Sequence, residues 1–219
     1  MGPVWDWDNA FCNPFFRNQW KTNGWRFEVA ADPDYTWYRR LFEDPDFLQR
    51  YIDRWSELRT NILATSNVLA LVDTIAGPIR EAQARNELRW PPGTSSLIVT
   101  DTNKLFTAEL TWLKDWISGR LSWIDSQEFP KPVAQTVHEE PAGPPKVALA
   151  WLTGRLFYTT NGTDPRAPGG GVAPAAIEYS RPIATSGGTM ITARVRSSYG
   201  LWSTPVRISG MGLERQEAK

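Results

Sequence analysis

Two carboxylates near the start of the chain are the residues best suited to chemistry. Gly2-Pro3-Val4-Trp5-Asp6-Trp7-Asp8 reads as a strand, and residues two apart on a strand point to the same face. Asp6 and Asp8 therefore stand side by side. Paired hard oxygen donors suit Mg²⁺ or Ca²⁺, and their mutual repulsion favours a bound cation. A plain surface or capping role fits the same residues, because Asp-x-Asp is short and recurs by chance.

Other candidates have simpler readings. Asp53-Arg54 and Glu57-Leu58-Arg59 suit ion pairs on a helix surface or between helices. Arg85-Asn86-Glu87 and Arg89-Trp90 offer anion anchors or ties to helix ends. Gly169-Gly170-Gly171 precedes no helix, so it reads as a flexible loop and not a phosphate cradle. Asn161-Gly162-Thr163 fits a glycosylation sequon, but turn chemistry already accounts for it.

Composition narrows the options. Cys12 is the only cysteine and His138 the only histidine. An intramolecular disulfide and a Cys/His zinc cluster are excluded, and a His-based triad would have to use a residue in a Pro-rich stretch. Residues 1–145 carry a net charge of −5 and residues 146–219 a net of +5. That contrast is too mild for a nucleic-acid partner. No run is long enough to span a membrane, and no signal peptide is visible. The many tryptophans suit either a buried aromatic core or a surface that stacks on sugars.

The elements that must position these residues change character along the chain. Residues 1–40 read as aromatic and irregular. Asp44-Pro45 starts a helix on which Phe47, Tyr51, Trp55 and Leu58 share a face. Ser66 opens the next helix, with Val68, Leu69, Val72 and Ile75 as its buried stripe and a kink or new start at Gly77-Pro78. After a polar loop over 91–102, Phe106, Leu110, Leu113, Ile117, Leu121 and Ile124 mark a helix packed on two sides, with Trp112, Trp116 and Trp123 beside them. Trp55, Leu58, Val72, Leu110, Leu113 and Ile117 are expected in one core. Prolines crowd residues 129–146, which read as a linker. Alternation then replaces helical spacing. Residues 156–160 form a strand, 161–165 a turn, and 191–196 and 206–208 further strands, as in a small antiparallel sandwich.

Three stretches together resemble the CotH-like (spore coat protein H) kinases of bacteria over about residues 1–128. They are Gly2-Pro3-Val4-Trp5-Asp6-Trp7-Asp8, then Asp44-Pro45-Asp46-Phe47 through Arg54-Trp55-Ser56-Glu57-Leu58-Arg59, then Arg85-Asn86 and Arg89-Trp90 leading to Leu113-Lys114-Asp115-Trp116-Ile117 and Arg120-Leu121-Ser122-Trp123-Ile124-Asp125. The resemblance implies an atypical protein kinase that uses ATP and Mg²⁺, with Asp6 and Asp8 as metal ligands. Phe157-Tyr158-Thr159-Thr160-Asn161-Gly162-Thr163-Asp164-Pro165-Arg166, with Ala176, Tyr179, Pro182-Ile183 and Thr192-Ala193-Arg194, is similar to the non-catalytic chitobiase/β-hexosaminidase C-terminal domain.

The expected architecture is multidomain α + β. Residues 1–128 form the helical C-lobe-like part of a kinase-like fold, and residues 129–146 the linker. Residues 147–210 form an independently folding Ig- or fibronectin-like sandwich, and 211–219 a polar tail. A strand at the first residues requires neighbours, and the resemblance requires a nucleotide-binding lobe and a catalytic aspartate ahead of Asp6. The chain is therefore expected to be a fragment that is inactive alone, with no catalytic residue of its own and the preceding kinase portion as its partner. A protein substrate or a surface glycan is the other expected partner, and the full-length protein is expected outside the cytoplasm or secreted. The competing expectation is a secreted carbohydrate- or cell-surface-binding module, or a spacer, without enzymatic activity.

Overall fold

The computed structural model describes residues 11, 20–29, 36–90, 105–127, 133–138 and 146–209. Among them, helices come first and antiparallel sheets second. The helices are α1 (Arg26–Val29), α2 (Thr36–Glu43), α3 (Pro45–Arg59), α4 (Thr65–Arg89) and α5 (Leu105–Asp125). The strands are β1 (Ala134–His138), β2 (Lys146–Ala150), β3 (Arg155–Thr159), β4 (Ile177–Glu178), β5 (Ile183–Ala184), β6 (Met190–Arg196) and β7 (Val206–Ser209). Two compact units divide the chain. One comprises Met1–Val29 and Leu58–Gln127, the other Ala30–Glu57 and Glu128–Lys219. The expected sequence of helical part, linker and β-domain differs from this partition, because Ala30–Glu57 groups with the strands.

In the first unit α4 packs on α5. Ala76, Ile117, Leu121 and Ile124 are buried there. Arg59, at the end of α3, grips Asp125 through Nε and Nη2 at 2.8 to 3.1 Å. Lys114 reaches Asp73 at 2.5 Å. α4 departs from the expected reading at its start and in its buried stripe, and at Pro78 it leaves only the kink of the two alternatives. It starts at Thr65 after Ala64, which makes no side-chain cap. It runs as one helix through Pro78, so no new helix begins there. Ile75 is 61% exposed and not part of a buried stripe, because the side that packs is centred on Ala76, about a quarter-turn away. Leu110 and Leu113 are half-buried. Trp55 belongs to the other unit, apart from the residues expected to share its core.

The second unit contains two sheets. The three-stranded sheet has order β1-β2-β5 and the four-stranded sheet order β4-β3-β6-β7, and every ladder is antiparallel. β1 lies inside the stretch expected as linker and pairs with β2 along its whole length, from Ala134↔Ala150 to His138↔Lys146. Proline lacks a backbone donor, which favours edge strands. β1 fits that position, with prolines on either side and none within it. Val147, Leu149, Leu156, Ile183, Ile191, Ala193, Val195 and Ile208 come from both sheets into one core. Gly154, in the turn before β3, has φ +90, and a Cβ there would lie 2.5 Å from the Arg196 carbonyl oxygen. Only glycine suits that position.

α2, in a stretch expected to be irregular, packs by aromatic edges. The Phe42 ring meets Phe47 at 5.2 Å and Tyr51 at 5.3 Å, both edge-on. This occupies the apolar face of α3 that the spacing of Phe47, Tyr51 and Trp55 marks out.

Leu156→Ala should destabilise the β-domain by about 2–5 kcal/mol, since the side chain is fully enclosed. Leu88→Ala, on an 84% exposed side chain, should change stability by less than about 0.5 kcal/mol. Denaturant titration of both variants checks the contrast.

Candidate functional site

The most developed polar site lies between α3 and the four-stranded sheet, within the second unit. α3 begins as the sequence predicts. Asp44 Oδ1 accepts the amides of Asp46 at 2.7 Å and Phe47 at 3.2 Å, and Pro45 takes the first helical position. Asp46, Gln49 and Asp53 then follow at spacings of three and four, so they form one stripe. All three bond to the β-domain.

β6 supplies the centre. Its residues alternate as expected, with Ile191, Ala193 and Val195 in the core between the sheets. Thr192 and Arg194 point the other way, yet they are buried too, at 2% and 3% exposure. The turn after β3 covers part of that face. Asn161 Oδ1 accepts the Thr163 amide at 3.1 Å and its hydroxyl at 2.7 Å. Thr159 and Thr192 hydroxyls donate to the carbonyls of Thr163 and Gly162. These bonds fix the turn with Asp164 beside Arg194.

Arg194 uses every donor it has. Nε donates to Asp164 at 2.9 and 3.1 Å. Nη2 donates to Asp164 at 2.7 Å and to Asp53 Oδ2 at 2.9 Å. Nη1 donates to Asp53 Oδ1 at 2.8 Å and to the Ser203 carbonyl at 2.6 Å. Gln49 Nε2 completes the group, donating to Asp53 Oδ1 at 3.0 Å and more weakly to the Ser203 carbonyl. A guanidinium has five N–H groups, and here all five are satisfied. Burial works against the charge, and the hydrogen bonds to Asp53 and Asp164 outweigh it, so the pKa of Arg194 is raised. Such a group confers little net stability over apolar packing. Removing one partner, however, leaves a buried charge at a cost of about 3–5 kcal/mol.

A second contact holds the start of α3. Gly169 N donates to both carboxylate oxygens of Asp46, at 3.0 and 3.1 Å. Arg166 Nη1 pairs with Asp46 at 2.6 Å, and Nη2 donates to the Pro45 carbonyl at 2.8 Å. Trp202 Nε1 donates to the Gly170 carbonyl at 2.9 Å. The triple glycine is therefore no free loop. Pro168–Gly170 form a 3₁₀ turn, with Gly169 at φ 77, which brings a backbone amide to a carboxylate.

In the first unit, α5 presents Trp116, Gly119, Arg120 and Trp123 to the preceding chain. Trp116 meets Phe11 edge-on at 5.6 Å, and Trp123 meets Trp25 at 4.9 Å. Arg120 Nη1 donates to the carbonyls of Thr22 and Gly24. A Cβ on Gly119 would come within 2.9 Å of Thr22.

Asp6 and Asp8 lie outside the described residues, as does Cys12. Among the described residues no group of three or more His, Cys, Asp or Glu side chains is placed to hold a metal. Arg54 pairs with Glu57, and Arg59 with Asp125, as the ion-pair reading expects. Asp53 does not stay on the helix surface but bonds the β-domain. Arg85 pairs with Glu81, and the Arg89 guanidinium lies over Trp90. Sequence reasoning missed Asp46, Gln49, Asp164, Arg166 and Arg194 as a set. The spacing of Asp46, Gln49 and Asp53 was the available signal, but nothing in the sequence links that helix to a strand some 140 residues away.

Backbone donation from Gly169, followed by Arg166, holds the Asp46 carboxyl below its ordinary value of 3.8. A depressed carboxylate pKa stabilises the fold above the ordinary value, and this contribution disappears as pH falls through the lowered one. In an acid titration the Gly169 amide shift should therefore report a midpoint below 3.8. Asp46→Asn should abolish that titration; a midpoint at or above the ordinary value would contradict the contact.

Comparison with known families matches residues 1–124 to CotH kinase protein. Comparison with curated proteins and with solved structures gave no match. The family match spans more than half of the 219 residues and takes in α1 to α4 and nearly all of α5. The β-domain lies beyond it. The chain therefore belongs to the CotH kinase family.

Proposed function

We propose that this chain contributes the C-terminal helical part of an atypical protein kinase domain and carries a non-catalytic β-domain after it. The observation that carries the reading is the CotH kinase match over residues 1–124. In the complete domain the reaction is phosphoryl transfer from ATP with Mg²⁺. Asp6 and Asp8 are the residues that would hold the ion. Two carboxylates supply the hard oxygen donors that Mg²⁺ takes, with water filling its remaining positions. The bound ion would neutralise charge developing on phosphate oxygens.

Transfer also needs a cation on the phosphates and a residue that orients the attacking hydroxyl. Of these parts, the resemblance assigns to this chain only the metal carboxylates. The 219 residues alone are therefore proposed to be inactive, the remaining parts being supplied by a partner kinase portion. The β-domain is read as a chitobiase C-terminal-like, Ig- or fibronectin-like accessory. For the full-length protein we propose a bacterial, extracytoplasmic or secreted location, which rests on the family resemblance alone. No helix among the described residues is long and apolar enough to cross a membrane.

A glycan-binding role for the β-domain has less support. Of its tryptophans, Trp202 is buried, and Trp151 packs on the core with Nε1 bonded to the Gly154 carbonyl. The buried Trp202 offers no open face for a sugar.

Two measurements test the proposal. Incubated with labelled ATP and Mg²⁺ or Mn²⁺, the chain should incorporate no phosphate into itself or into added protein. Incorporation that vanishes in an Asp6→Ala, Asp8→Ala variant would overturn the assigned inactivity. Mn²⁺ titration followed by electron paramagnetic resonance should show weak binding that this variant loses; identical binding in both proteins would remove Asp6 and Asp8 as ligands.

A further inference from the structure

The β-domain lies outside the family match, yet the polar stripe of a family helix is held by it. Asp46, Gln49 and Asp53 are within residues 1–124, whereas Arg166, Gly169, Arg194 and Ser203 are beyond them. We infer that the β-domain is an intramolecular clamp for α3, whose function is to fix the position of that kinase-family helix.

The contacts have the character of a positioning device. Apolar contact alone tolerates sliding, because dispersion and hydrophobic attraction are non-directional. The Arg194 fork is directional. It donates to Asp53 through both Nη groups at 2.8 and 2.9 Å, and its remaining donors are committed to Asp164 and Ser203. Moving α3 by one residue would take Asp53 off the fork and leave a buried guanidinium short of a carboxylate. Two residue turns earlier on α3, Asp46 fixes a second point against Gly169 and Arg166. Two points seven residues apart set both the slide and the rotation of a helix. The receiving side is itself rigid: Asp164 sits on a turn tied to Thr159 and Thr192, and Gly170 is tied to Trp202. A spacer or a swinging accessory has no need of such a surface, since modules joined by a flexible linker make small, wet contacts.

The clamp does not depend on phosphoryl transfer, so its test needs no activity. A protease site introduced at Phe129-Pro130 of the full chain allows the polypeptide to be cut after folding. The halves should co-elute in size-exclusion chromatography at moderate salt. An Asp46→Asn, Asp53→Asn variant changes the helix only and leaves the β-domain sequence intact. In that variant the cut halves should separate. In the uncut variant, α3 amides should exchange at least about tenfold faster while β3 and β6 keep their protection. Separation of the unsubstituted halves would overturn the clamp. So would a variant whose halves stay together with α3 exchange unchanged.

Discussion

A guanidinium buried on the face of a sheet must be neutralised where it lies, and this constraint organises the second unit. Arg194 is enclosed in β6 between Ala193 and Val195, which point into the core on the opposite side. It cannot turn towards water. Its charge is met by one carboxylate from a turn of the same domain and one from a helix far away in sequence. The turn is shaped by an asparagine side chain that bonds two residues ahead and by two threonine hydroxyls beneath it. The helix is started at the right point by Asp44. Each of these local choices makes sense through the arginine they surround.

α3 has two working faces. Its aromatic residues take Phe42 of α2, and its polar stripe takes the sheet. The helix is thus packed on two faces without a wide apolar arc, which explains why Gln49 is among the buried polar residues beside the buried Ile52. The division between compact units runs through the last turns of this helix, between Glu57 and Leu58. Arg59, just beyond that point, belongs with Asp125 and the helices α4 and α5.

Local elements were legible where a single short-range rule governs them. Asp44-Pro45 marks a helix start by capping and proline geometry, and the structure begins α3 there. The Asn161-Gly162-Thr163 turn and the alternation in β6 were equally plain. Helix α5 showed itself through its regular apolar spacing. What the sequence hid was partnership. Alternation puts Arg194 on the side of β6 away from the core but does not tell what covers that side, because a half-exposed strand and one covered on both faces differ only in what packs on them. β1 was hidden because prolines crowd the sequence on both sides of it. Ile75 looked like a core residue because the apolar arc of α4 is wider than the surface α5 covers. As for the candidate metal pair, Asp6 and Asp8 rest on the strand reading and the resemblance, since they lie outside the described residues.

The shared arginine also constrains how such a chain evolves. Asp53 lies in the family-matched region and Arg194 beyond it. A new β-domain brought to this helix by recombination matches Asp53 only when it presents a cation at the same place. Loss of Asp53 by drift strands that cation inside the protein, where a second substitution must follow. The two segments are therefore expected to be inherited as a pair, with substitutions at positions 53, 164 and 194 correlated across relatives, rather than exchanged as independent modules.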